Sequence, residues 1–280
     1  MDLIADFVAL IVAAATGLMP GTFAPLERAV ERSYQVAPGA IVTVELAAGR
    51  ISVTPSPDRT VRVRLTQRAQ TTNQREAESA FAGYTVELTQ RTGDVRLVTR
   101  RTPGFDSVLW RRVRVNMEAE VAVPANVAVD LHTHGGSIEI RGGREAPTTA
   151  HTSGGSIGVD GGPAPIDIST SGGSIRVGRT GTTLRARTSG GSITVDEVAA
   201  SARDVDVSTS GGSVRVGVHP AAHLAFDAST SGGSAAIDGL SVNPSHRTRT
   251  QVTGTLNGGG GRLNAHTSGG SVRISATSRQ

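Results

Sequence analysis

The chain has 280 residues, with 28 basic and 24 acidic side chains; every base is an arginine, and the formal charge is only +4. The absence of cysteine excludes disulfides, thiolate metal sites, cysteine nucleophiles and a lipid-anchored cysteine. With 35 glycines against five Phe, two Tyr and one Trp, a broad aromatic-centred core is excluded, and a thin, repetitive β structure with a narrow aliphatic interior is expected. The arginines are scattered and not gathered into a stripe with interleaved aromatics, so nucleic acid is not an expected partner.

The first element is an apolar run from Phe7 to Met19, FVALIVAAATGLM. Pro20 and Gly21 follow it, and Ala24 with Thr22 two residues before makes a signal-peptidase site. Asp2 and Asp6 stand where such a leader usually carries basic residues. Three readings stay open: a cleaved leader over residues 1–24, an uncleaved membrane tether through residues 3–19, and a buried helix. The first two place the rest of the chain outside the cytoplasm.

Residues 25–128 come next. IVTVEL, ISVT and VRVRL alternate as strands between Ala40 and Thr66. Asn73 is placed to cap one short helix, Gln74 to Ala82, rich in Glu, Gln and Ala. Strands YTVEL, DVRLVT and RVRVNMEAEVAVP follow, the last closed by Pro124. This region is expected to form wider, less regular coils that cap the next region and are continuous with it.

Residues 129–280 carry a repeat. Gly-Gly pairs fall at 135–136, 154–155, 172–173, 190–191, 211–212, 232–233 and 269–270, at spacings of 19, 18, 18, 21, 21 and 37. Periods near 20 residues belong to solenoids. The last spacing is close to two coils, so a coil without the motif is expected near Val252 to Leu256. Two residues before each pair stands a threonine: Thr133, Thr152, Thr170, Thr188, Thr209, Thr230 and Thr267. The positions two and four residues earlier are apolar in most coils, for example Leu131 and Val129, or Ile168 and Ile166. A serine follows each pair: Ser137, Ser156, Ser174, Ser192, Ser213, Ser234 and Ser271. Apolar alternation then resumes, as in Ile138 and Ile140.

Alternation on a period of two marks strands, and the change of parity across Gly-Gly-Ser marks a corner. The glycines (Gly135, Gly136, Gly154, Gly155, Gly172, Gly173, Gly190, Gly191, Gly211, Gly212, Gly232, Gly233, Gly269 and Gly270) are expected to supply the backbone angles of that corner and to let coils approach closely. The fold expected is all-β: a single-stranded β-solenoid or β-helix of about 18–21-residue coils, each of two strands, stacked in parallel at about 4.8 Å with a right-handed path. One coil buries too few aliphatics to stand alone, so stacking supplies the rest. The segment LNGGGGRLNAHTSGGSVRIS is expected to cap the C-terminal end, its four glycines marking a tight turn.

The run YQVAPGAIVTVELAAGRISVTP, then EVAVPANVAVDLHTHGGSIEI, then serial TSGGSI coils resembles the bacterial DUF4097 family of adhesin-like proteins. The likeness covers about Ser33 to the C-terminus. It implies a β-solenoid that is exported or membrane-tethered; related domains, called toastrack domains, occur beside envelope-stress systems. It implies no catalytic residues. The expected function is that of a non-enzymatic cell-envelope scaffold or adhesin-like interaction module. The alternatives are a tethered envelope-stress sensor and a carbohydrate-active β-helix enzyme. Candidate partners are an envelope glycan or another surface protein.

Five features are candidate sites. His132 and His134 lie two apart, and His151 falls in the column of His132 one coil later, a convergence Zn²⁺ would accept. That column holds Ser169, Arg187, Ser208, Ser229 and His266 elsewhere, so any polar residue serves there. No cofactor is implied. GVDGG, Gly158 to Gly162, is similar to a calcium-binding nonapeptide but occurs once, and is read as a turn closing a coil. The Thr column points inward by parity, against an ice-binding face. Glycosidases need two carboxylates about 5–9.5 Å apart, and no column is expected to hold two in adjacent coils. Arg176, Arg215 and Arg273 share an outward column with Glu139 and Thr194, a face suited to solvation or to weak anionic-glycan binding.

Overall fold

The computed structural model describes residues 26–102 and 113–277; the leader, tether and buried-helix readings of the N-terminus fall outside the described residues. The strands before the repeats are β1 (Leu26–Gln35), β2 (Ile41–Leu46), β3 (Arg50–Pro55), β4 (Thr60–Ala69), β5 (Tyr84–Arg91), β6 (Asp94–Arg101) and β7 (Val115–Val123), with helix α1 (Gln74–Ala82) between β4 and β5. The repeats contribute β8 (Ala128–Thr133), β9 (Ile138–Ile140), β10 (Thr148–Thr152), β11 (Ile157–Gly162), β12 (Ile166–Thr170), β13 (Ile175–Thr180), β14 (Thr183–Thr188), β15 (Ile193–Val198), β16 (Asp204–Thr209) and β17 (Val214–Val218). The C-terminal strands are β18 (Leu224–Thr230), β19 (Ala235–Asp238), β20 (Val242–Arg247), β21 (Gln251–Leu256), β22 (Gly261–Thr267) and β23 (Val272–Ala276).

The described residues are all-β apart from α1 and build two long sheets, of 11 and 12 strands, that are mostly parallel through the repeats. Each coil gives one strand to each sheet, with the T-S-G-G-S corner between them. The register pairs like with like: Ile166 with Leu184, Ile168 with Ala186 and Thr170 with Thr188 across β12 and β14, and Ile175 with Ile193 across β13 and β15. Inward residues therefore stack into aliphatic columns, and one buried core runs from Val36 to Ile274.

An unmarked first coil precedes the repeats. β2 pairs in parallel with β8, Leu46 opposite Thr133, and β3 pairs with β9, Ile51 opposite Ile138. Gly49 takes the place of the second motif glycine, and Thr133 Oγ1 donates to its carbonyl at 2.9 Å. β6 and β7 stack in parallel on β2 and β3, one in each sheet, as a further coil of the expected kind; β1, β4 and β5 are not coils. β4 runs antiparallel to both β1 and β7, extending one sheet, and β5 runs antiparallel to β6, extending the other. Alternation such as VRVRL serves a parallel coil or an antiparallel hairpin equally, which is why the pattern alone did not separate them. α1 forms where expected: Asn73 Oδ1 accepts from the amides of Arg75 and Glu76 at 3.0 and 3.4 Å, and Ala77, Ala80 and Phe81 pack with Ala69 and Val113.

The C-terminal end differs from the order in sequence. β22 lies between β16 and β18, and β23 lies between β17 and β19, so the last coil is inserted into the stack and does not cap it. Val252 to Leu256 is not a degenerate coil. It belongs to β21, which runs antiparallel to β18 and, with β20, forms the hairpin that closes one sheet. The glycine-rich turn, Asn257 to Gly260, has positive φ throughout and leads over β18 from β21 to β22. Asn257 Nδ2 anchors it on the carbonyls of Pro220 and Ala222 at 2.8 and 2.9 Å. No helix among the described residues is long and apolar enough to cross a membrane.

Candidate functional site

The repeated corner is the most regular part of the molecule, and its chemistry is turned inward. Each motif threonine is buried. In all seven, Oγ1 donates to the carbonyl of the second corner glycine in the neighbouring coil, at 2.6 to 2.9 Å. In six coils the same oxygen accepts from the amide of its own second glycine, at 3.2 to 3.4 Å. One hydroxyl thus ties a corner to itself and to its neighbour. The serines form a second ladder: in the spatial order Ser137, Ser156, Ser174, Ser192, Ser213, Ser271, Ser234, the amide of each after the first donates to the Oγ of the one before it, at 3.1 to 3.4 Å.

The two glycines of each pair have different duties. A Cβ on the second would lie 1.7 to 2.3 Å from the neighbouring coil's carbonyl oxygen, as at Gly136, Gly155, Gly173, Gly191, Gly212, Gly233 and Gly270. A Cβ on the first meets nothing at Gly135, nothing closer than 3.8 Å at Gly154, and a carbonyl oxygen at 3.0 to 3.5 Å at Gly172, Gly190, Gly211, Gly232 and Gly269, a milder crowding. None of the 14 has a positive φ. Of the two duties expected from the sequence, the corner therefore selects glycine for close approach and not for backbone angles.

The three histidines do not converge. His132 and His151 are register partners with ring centroids 5.1 Å apart, but His132 Nε2 bonds Asp130 Oδ1 at 2.8 Å and His151 Nδ1 bonds Ser169 Oγ at 2.6 Å. His134 sits beyond the end of β8, exposed at the corner. Among the described residues no three metal-ligating side chains gather.

GVDGG is strand, not turn: it completes β11, and Asp160 Oδ2 accepts from the amide of Gly142 in the neighbouring coil at 2.8 Å. Asp206 and Asp227 share a column in coils consecutive in sequence but not adjacent in the stack. The inserted last coil places Asn264 between them.

The outward arginines lie on the sheet that follows the corner. Arg176 is paired with Asp196 at 2.9 Å. Arg50 and Arg141 both reach Glu139, and their guanidinium hydrogen bonds hold its carboxyl below the usual range, Arg141 contributing most. Two open grooves follow this face. One, of about 570 Å³, runs beside the serine ladder between Arg50 and Thr194. The other, of about 830 Å³, lies further along, around Arg179, Arg215 and Arg273.

Arg144 carries no signal in the sequence. It is buried to 2 % exposure in the variable turn opposite the corner, and no carboxylate among the described residues pairs with it. Its guanidinium donates to the carbonyls of Val123, Pro124 and Val127, the first two at 3.4 and 3.1 Å. Burial pushes its pKa down to about 10, so it remains protonated at neutral pH. It clamps the β7–β8 connection onto the stack.

No family model matches the chain, and no curated protein matches it. Among solved structures it is similar to a candidate cell adhesion protein from Clostridium sporogenes, at 8% identity and a TM-score of 0.36, covering 89% of this chain and 100% of the other. A candidate adhesin from Bacteroides fragilis is similar at 12% identity and a TM-score of 0.42, covering 89% and 97%. A candidate lipid binding protein from Parabacteroides distasonis is similar at 13% identity and a TM-score of 0.35, covering 89% and 97%.

Proposed function

We propose that the chain is a non-enzymatic, exported scaffold of the cell envelope whose outward faces meet an envelope glycan or another surface protein, as an adhesin-like module would. One observation carries this reading. The groups that recur most faithfully, the Thr hydroxyls, the second glycines and the Ser ladder, are engaged in coil-to-coil bonds. What varies is what faces water, so recognition belongs to the outward columns and grooves. In this reading residues 1–24 deliver or tether the chain, residues 25–128 close one end of the stack, and residues 129–280 form the repeat body.

Fractionation of cells producing the full chain, followed by protease treatment of intact cells, tests the proposal. Recovery in the envelope or medium is expected, with a mature terminus near Pro25 if the leader is cleaved. A chain confined to the cytoplasm overturns the reading. Screening against glycan arrays then identifies the partner.

A further inference from the structure

The larger groove combines three features. First, Arg215 and Arg273 are register partners on β17 and β23, and theirs is the one like-charge pairing among the strand registers of the described residues. Like charges opposed on neighbouring strands destabilise a sheet. Elsewhere arginines face carboxylates or neutral side chains: on the other sheet Arg185 lies between Asp167 and Asp206, and Arg262 opposes Asp204. The pairing exists only because the last coil is inserted; β17 would otherwise meet β19, with Ala236 in that column.

Second, the positive charge there is incompletely answered within the protein. Arg215 forms no ion pair with a described residue, Arg273 reaches Asp238 at 3.4 Å and Arg179 reaches Glu197 at 3.6 Å. Charge-assisted contacts normally close to about 2.7–2.9 Å. Third, the floor is opened by Gly178 and Gly217, and the neighbouring stretch between Val195 and Val198 holds the one register shift among the parallel ladders of the described residues. Bulges re-aim side chains beside functional sites.

We infer that this groove binds a linear polyanionic glycan, with Arg215 and Arg273 gripping its carboxylate or sulfate groups and Arg179 guiding the chain. Guanidinium forks match such oxyanions bidentately. Among the described residues no Phe, Tyr or Trp lines the groove to stack a nucleic-acid base. Consecutive coils rise by about 4.8 Å, which spaces the two arginines along an extended polymer. The inference deepens the envelope-scaffold reading and rests on it for its biological setting, but not for its test.

The test titrates the full chain with labelled polygalacturonate and dextran sulfate at low salt, with neutral dextran and inorganic phosphate alongside. Wild type is expected to bind both polyanions and not neutral dextran. Arg215→Gln and Arg273→Gln should each weaken binding about tenfold, the loss of one charge-assisted contact, and Arg185→Gln on the opposite sheet should not. Without ligand, Arg215→Gln should melt higher than wild type, because a repulsion has gone; a merely structural arginine would melt lower. Equal binding by the double variant, or equal loss with Arg185→Gln, overturns the inference. Saturation by inorganic phosphate alone, with no gain from the polymers, also overturns it. A cytoplasmic chain that still binds refutes only the envelope reading, and an exported chain that does not bind refutes only the groove.

Discussion

The two edges of each coil obey different rules. At the T-S-G-G-S edge six coils repeat the same relay, with Thr170 bridging Gly155 and Gly173 as Thr188 bridges Gly173 and Gly191. At the opposite edge the turns differ in length and chemistry: a buried Arg144 in one, Gly181 and Thr182 in another, and the His219 to His223 turn carrying Asn257 in a third. The regular edge fixes how coils stack, and the variable edge absorbs insertions without disturbing the stack. The lesson is that repetition here reports structural demand and variation reports freedom, so the most visible motif says least about recognition.

The sharpest way to break the comparison is within one glycine pair. Gly155→Ala drives a Cβ to 2.1 Å from the Gly136 carbonyl oxygen, and is expected to cost about 3 kcal/mol or more in denaturant unfolding. Gly154→Ala is expected to stay within about 0.5 kcal/mol of wild type. Equal effects would mean that the corner selects glycine for its backbone angles after all. On the variable edge, Arg144→Ala removes charge-assisted bonds to three carbonyls, of which Val123 and Pro124 keep the amides of Ser56 and Val127 as donors, and should cost about 1.5–3 kcal/mol by the same measurement, although the motif is untouched.

Smaller effects sharpen the same contrast. Thr170→Val keeps the shape and removes the relay to Gly155 and Gly173, for an expected loss of about 1–2 kcal/mol. Ser169→Ala, one residue away and facing outward, should change thermal stability little. The least is expected from Glu139, whose carboxyl is held low by Arg141 and Arg50. Its contribution is present above the ordinary value of 4.5 and is lost as pH falls through the lower folded value. Solvent screening keeps it under about 1 kcal/mol. Glu139→Gln should remove that part of the acid dependence in a pH series of melts.

Much of the stack was legible because a period of two and seven Gly-Gly pairs leave few alternatives. Asn73 announced its helix through local capping chemistry. The first coil hid because Leu46 stands in the column of the motif threonine without its hydroxyl, while Gly49 keeps the close approach of the second glycine. The place of the last coil was invisible for a deeper reason. Its inward residues, Leu263, Ala265, Thr267, Val272 and Ile274, fit equally well against either neighbour, so column matching cannot order coils in space. Arg144 was illegible because its partners are backbone carbonyls, which no side-chain pattern records.

That spatial order is also the most exposed part of the account, since it creates both the C-terminal closure and the Arg215–Arg273 pairing. The chain has no cysteine, so engineered pairs report without background. Ser208 and His266 are register partners, whereas His266 separates Ser208 from Ser229. Partners on adjacent strands lie about 4.8 Å apart, within disulfide reach, and residues two strands apart lie beyond it. Under mild oxidation, Ser208→Cys with His266→Cys is expected to cross-link within the chain, and Ser208→Cys with Ser229→Cys is not. Cross-linking of the second pair and not the first would show coils stacked in sequence order, and would contradict the fold described.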